Sequence, residues 1–231
     1  NIRAQKKTHH WIDQMSIILD DITAWHKFPR SRWMLNKLYV QQKLGNECGP
    51  VGVTPTAYPV WVKPVINVHG LGIGSKKVES RHLMHYEPGM MWMPFYEGEH
   101  ISYDIKWEAG SDMEVYAAKG LNGPNFKEWQ IEKIEPDNKL KFLVYKLTVA
   151  GELPTYFNIE TIGGNLIECH PRWSAEFVDY YDRCPFTQKV LWSDNIHEPT
   201  PESWIDCRND PCNQWTGEMK RIAYTYQFKE K

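Results

Sequence analysis

The stretch Phe157-Asn-Ile-Glu-Thr-Ile-Gly-Gly-Asn-Leu-Ile-Glu-Cys-His-Pro-Arg172 constrains this chain more than any other. Two alternating runs flank Gly163, Gly164 and Asn165, the composition of a tight β-hairpin. Side chains alternate faces along a strand, so Asn158 and Glu160 share one face, and Glu168 and His170 share one on the partner. A three-residue loop pairs Ile162 with Leu166 and sets Glu160 directly across from Glu168, with Cβ atoms about 5 Å apart. Opposed carboxylates repel unless a cation lies between them, and facing hard oxygens are what magnesium requires. The alternative is a solvent-facing hairpin in which Glu160 and Glu168 are surface charges, and a two-residue loop would shift the register and put them on opposite faces. Arg172 follows at once and can offer a positive donor to a phosphoryl group.

The remainder of the chain reads as α+β. Residues 11–28 carry Trp11, Ile12, Met15, Ile18, Leu19 and Ile22 at helical spacing. A second helix is expected from Ser31, whose hydroxyl can cap it, to a stop at Gly45. Residues 46–57 read as loop. Strands are expected over 58–64, 90–96, 101–107 and 115–118, with a turn at 108–111. A glycine-bearing loop, 69–75, follows the first of these. Residues 120–138 show no period and read as loop. A helix is expected over 140–153, ended by Gly151 and Pro154, and then the hairpin. The Pro-rich residues 185–231 read as a wrapping extension.

Composition excludes several functions. The 27 basic and 29 acidic residues give a net charge of -2, with no long block of one sign, so nucleic-acid binding through a basic face is not favoured. No apolar run approaches the roughly 20 residues a membrane span needs. Five Cys without tight spacing argue against a secreted disulfide framework, and the protein is expected to be cytoplasmic. Cys184, Cys207, Cys212 and His197 are a minor zinc alternative lacking the Cys-x-x-Cys spacing. The 11 Trp are read first as core. There is no Gly-x-Ser-x-Gly elbow and no phosphate-binding loop ending Gly-Lys-Ser/Thr.

Five features in order resemble the ATP-grasp superfamily over about residues 34–174. They are Lys37 on a helix before Gly45; Val62-Lys63-Pro64; the loop with Gly70, Gly72 and Gly74; Glu97-Gly-Glu-His-Ile-Ser-Tyr-Asp104 after the apolar run Met91-Trp-Met-Pro94; and Asn158-Ile-Glu160 with Glu168-Cys-His-Pro-Arg172. The resemblance implies a two-lobed fold with antiparallel sheets and flanking helices. It divides the chain into an N-terminal helical segment (1–57), a small lobe (58–95), a second lobe with the metal hairpin (96–184) and the extension (185–231). It further implies that Lys37, Lys63 and the glycine loop hold the phosphates of ATP, and that Trp92 and Met93 lie beside adenine. Glu160 and Glu168 become Mg2+ ligands with His170 as a third candidate metal ligand, and Arg172 faces the transferred phosphate. His170 stands where relatives usually have Asn, and imidazole prefers softer ions than magnesium. The implied activity is ATP-dependent joining of a small-molecule carboxylate, through an acylphosphate, to an amine or thiol. The alternative is a non-catalytic nucleotide-binding or structural subunit of a homo-oligomer or larger assembly.

Overall fold

The computed structural model describes residues 20–66, 74–85, 87–108, 111–121, 128–174, 188–193, 197, 199–202, 204–206, 215–216 and 219–226. The helical pattern over 11–19 and the thiols Cys184, Cys207 and Cys212 lie outside these residues.

Helix α1 (Asp21–Lys27) starts where the Asp20 carboxylate accepts from Thr23 N–H at 2.6 Å. A 3-10 turn (Arg32–Leu35) comes next, and then α2 (Lys37–Leu44). The expected Ser31 cap is not made. Asn36 caps α2 instead, accepting from Tyr39 N–H at 2.9 Å. A side-chain acceptor must sit immediately before the first helical turn, and the 3-10 turn moves that position from Ser31 to Asn36. Gly45 closes the helix at φ +74°, in the left-handed region where glycine carries no Cβ penalty.

Two antiparallel sheets follow. The smaller has order β1-β4-β2-β3, from β1 (Gly49–Pro50), β2 (Val60–Pro64), β3 (Lys76–Val78) and β4 (Met90–Pro94). Residues 46–57 are therefore not all loop, since Gly49 and Pro50 pair with β4. Val51, Val60, Val62, Val78 and Trp92 form the core of this sheet.

The larger sheet is built from β5 (His100–Lys106), β6 (Glu114–Gly120), β7 (Glu128–Ile134), β8 (Tyr156–Ile162), β9 (Asn165–His170), β10 (Gln188–Ser193), β11 (Ile205–Asp206), β12 (Trp215–Thr216) and β13 (Met219–Tyr226). Its order is β11-β13-β10-β7-β6-β5-β8-β9, with β12 on β13. Two expectations change here. β7 arises inside the segment read as loop because Glu-Trp-Gln-Ile-Glu-Lys-Ile pairs with β6 along six residues, a tertiary gain that weak local alternation does not announce. The described strands of the expected extension do not merely wrap: β10 extends the sheet from β7.

Helix α3 (Asn138–Ala150) is capped by Asp137, which accepts from Leu140 N–H at 2.8 Å. Leu140, Val144 and Leu147, at i, i+4 and i+7, face the sheet with Val40 and Leu44 of α2, against Ile105, Val115, Phe157 and Ile159. The helices thus cover the odd-numbered face of β5 and β8. The even-numbered residues, Ser102, Asp104, Asn158 and Glu160, project to the other face, where the chemistry gathers.

Candidate functional site

The β8–β9 hairpin turns in two residues, Gly163 at φ +56° and Gly164 at φ +79°, and not in three. Two successive left-handed residues make the type I′ turn that matches strand twist. Ile162 consequently pairs with Asn165 and Thr161 with Leu166. Left alone, that register would put the carboxylates on opposite faces. A bulge between Glu160 and Thr161 corrects it: Ile167 is the extra residue, and Glu160 lies opposite Glu168 after all. The same bulge lets Leu166 and Cys169, three apart, both enter the helix-side core. Ligand atoms of Glu160, Glu168 and His170 lie within 4.8 Å of one another. Oxygen donors so placed fit a hard divalent ion.

Both lysines turn toward the pair. Lys37, on the first residue of α2, reaches Glu168 Oε2 at 2.7 Å and is only 5% exposed. Its N–H bonds Val65 O at 2.9 Å, tying α2 to the end of β2. Lys63 projects from β2 and donates to Ile167 O at 2.6 Å, so the bulge residue bridges the two sheets. Burial, with Lys37 adding to it, draws the Lys63 pKa down to about 8 against the pull of Glu168 and Glu160. Glu168 is held well below the usual carboxylate range: Lys37 and Lys63 outweigh its burial. Glu160 meets His100 Nε2 at 2.9 Å.

A second knot sits beside the first. Asp21, 2% exposed at the start of α1, accepts from Arg172 Nε at 2.7 Å and lies 3.1 Å from His170 Nδ1. Burial opposes its charge, but His170 and Arg172 prevail and keep it well below the ordinary range. The His170 pKa rises correspondingly, since Asp21 outweighs the burial of the ring. Behind these groups, Asn158 Nδ2 donates to Ser102 Oγ at 2.8 Å and to Asp104 Oδ1 at 2.7 Å, and Asp104 also accepts from Ser174 N–H at 2.7 Å. Asp104 and Asn158, each 1% exposed, therefore fasten the segment after Pro171-Arg172 to the sheet.

Solved structures supply the comparison. A protein assigned to the ATP-grasp superfamily from Archaeoglobus fulgidus superposes with a TM-score of 0.53 at 13% identity, over 84% of this chain and 65% of that one. An N5-carboxyaminoimidazole synthetase from Staphylococcus aureus, complexed with ADP, gives 0.54 at 10% identity, over 86% and 68%. The chain has the ATP-grasp fold. An L-amino acid ligase from Bacillus licheniformis has a TM-score of 0.42 at 18% identity, over 64% of this chain and 43% of that one. The chain thus spans less than two thirds of the Archaeoglobus fulgidus and Bacillus licheniformis structures. No protein-family model matches, and no curated protein matches in sequence. No helix among the described residues is long and apolar enough to cross a membrane.

Within this ATP-grasp fold the other expected site residues lie as follows. Gly74 sits at φ +80°, while Gly70 and Gly72 lie outside the described residues. The Trp92 indole is 3% exposed, packs in the small-sheet core and donates to Val53 O at 2.8 Å. Met93 is 1% exposed and pairs with Trp61. Ladder groups point alternately left and right. Phe95 N–H bonds Pro59 O, so odd residues of β4 face β2, and the Pro94 carbonyl points to the opposite side, past the two residues of β1. Arg172 is spent on Asp21 and on Trp173 O, at 2.9 Å from its Nη1.

Three contacts escaped the sequence reading. Asp21 stands 149 residues before His170, and its spacing carries no signal. The Ile167 carbonyl matters only because of the bulge. Gly98 and Gly163 act together: a Cβ on Gly98 would lie 2.8 Å from Gly163 Cα, and one on Gly163 would lie 2.3 Å from Glu97 O. Two facing glycines let the strand leaving the small sheet cross the hairpin tip, where Gly163 N–H bonds Glu99 O at 3.0 Å.

Proposed function

We propose that this chain binds ATP with Mg2+ between its two sheets and activates a small-molecule carboxylate as an acylphosphate for joining to an amine or thiol. The observation that supports it is the meeting of Lys37 and Lys63 from one side with Glu160 and Glu168 from the other. Glu160 and Glu168 would hold the ion, with His170 adjacent. Magnesium, when bound, neutralises phosphate oxygens and fixes their orientation. Lys63, buried and reluctant to stay charged alone, gains most from a polyphosphate. Lys37 would share its charge between Glu168 and the phosphates. Adenine would lie against the open side of β4, its edge read by the Pro94 carbonyl in preference to Trp92, whose side chain is committed to the core. The glycine loop, 69–75, would cover the phosphates. Residues 58–95 would act as the small lobe and 96–184 as the second, in a cytoplasmic setting that supplies ATP and free substrates.

Catalysis in this fold is chiefly positioning and charge neutralisation, so no protein nucleophile is needed. Arg172 must turn from Asp21 toward the transferred phosphate to assist. Its engagement by Asp21 favours a second reading, nucleotide binding without turnover. Calorimetry with ATP, with and without Mg2+, tests the shared part: binding must require the metal. Phosphate release with mixed carboxylates and amines then separates the readings. Tight binding with no release in any mixture rejects the ligase. Absence of metal-dependent binding rejects both.

A further inference from the structure

Asp21 and His170 have no part in an all-oxygen magnesium site, yet both are built firmly into the structure. His170 is 8% exposed, on the same face of β9 as Glu168, and one of its ring nitrogens lies within 4.8 Å of the ligand oxygens of Glu160 and Glu168. Its Nδ1 is held by Asp21 Oδ1 at 3.1 Å, and Arg172 Nε fixes that same oxygen at 2.7 Å. A carboxylate on Nδ1–H sets the tautomer, orients the ring and makes Nε2 the more basic donor, which is the arrangement found behind metal-binding histidines. Nε2 is thus the ring nitrogen left for a further partner. We infer that the site is a mixed nitrogen–oxygen centre that prefers Mn2+ to Mg2+, with Glu160, Glu168 and His170 Nε2 as ligands and Asp21 as a positioning residue acting through His170. This rests on the metal role of the two glutamates proposed above and adds Asp21 as the group that orients His170 and the choice of ion.

The physical ground is ligand character. Mg2+ demands near-ideal octahedral oxygen and gives up water reluctantly. Mn2+ takes the same carboxylate and phosphate oxygens and, as a softer first-row transition ion, accepts a nitrogen donor more readily than Mg2+ does. A nitrogen donor beside two carboxylates therefore widens the gap between the two ions. Asp21 comes from α1, outside both sheets, so the N-terminal helix becomes a support of the metal site as well as a strap.

The test loads the purified chain with Mn2+, alone and with a non-hydrolysable ATP analogue, and records electron spin-echo modulation from coordinated nitrogen. Mn2+ and Mg2+ affinities are measured by calorimetry. Nitrogen modulation is expected in the unaltered protein and is expected to vanish in His170→Asn. That variant should lower the Mn2+ to Mg2+ affinity ratio ~10-fold with Mg2+ binding little changed, and Asp21→Asn should weaken Mn2+ binding by about 10-fold while sparing Mg2+. If Asp21→Asn does not fold by circular dichroism, His170→Asn still decides the question. Mn2+ bound in a Glu160-dependent manner without nitrogen modulation overturns this inference and leaves the carboxylate reading standing, with Asp21–His170 a latch for α1. If neither ion binds in either condition, both fall.

Discussion

If ATP binds as proposed, Lys63 should make nucleotide binding a proton-coupled event. In the free protein its pKa is about 8 in place of 10.5, first because of burial and then because of Lys37, with Glu168 and Glu160 opposing. A phosphate charge arriving within about 4 Å contributes on the order of 4 kcal/mol even at an effective dielectric of 20. That is about three pKa units, enough to return the lysine to its ordinary range. Lys63 is half charged at pH 8 before binding and almost fully charged afterwards. Proton uptake on ATP binding should therefore be about 0.1 at pH 7, about 0.5 at pH 8 and about 0.9 at pH 9. Calorimetry in buffers of differing protonation enthalpy measures it directly. Lys63→Met should remove the uptake and weaken ATP far more than adenosine. Uptake that stays flat from pH 7 to 9, or that survives in Lys63→Met, would refute the placement of this lysine at the phosphates. The same depressed pKa acts on folding with a fixed sign: its stabilising effect is complete above pH 10.5 and is lost as pH falls through about 8.

Glu168→Gln removes the counter-ion of buried Lys37 and should lower stability by about 3 kcal/mol in a denaturant titration; Lys37→Met with Glu168→Gln should recover most of that, and the double variant should still lack metal-dependent ATP binding. Gly163→Ala presses a Cβ to 2.3 Å from Glu97 O at φ +56° and should cost about 2 kcal/mol or more, read as a lowered Tm, whereas Gly164→Ala, with nothing within 4 Å, meets only the cost of its backbone angle. Asp21 and Glu168 both have depressed pKa values, so the stability they confer is full above the ordinary carboxylate value of about 4 and is lost as pH falls below it. Asp21→Asn should therefore flatten the acid limb of Tm against pH.

Much of the fold was legible because local chemistry sufficed. The place of the hairpin turn, though not its length, the strand at Val60–Pro64 and helix α3 with its Gly151 stop follow from turn residues and from period-2 or period-3.6 patterns. β7 was not legible, because its stabilisation comes from β6 and β10 on either side. The cap of α2 was misplaced because a 3-10 turn intervenes.

For the site, the sequence alone set the residue types and their order: two lysines, a glycine loop, paired glutamates and Pro-Arg. It could not decide that the glutamates face each other, since a two-residue turn argues the opposite and only the bulge at Ile167, held by Lys63 from the other sheet, restores the register. Nor could it show that Asp21 meets His170 and Arg172, because a contact across 149 positions is fixed by packing and leaves no periodic trace in the chain. Hydrogen-bond patterns repeat locally and can be read from neighbours, whereas the convergence of charges in space depends on how the two sheets and α1 close together.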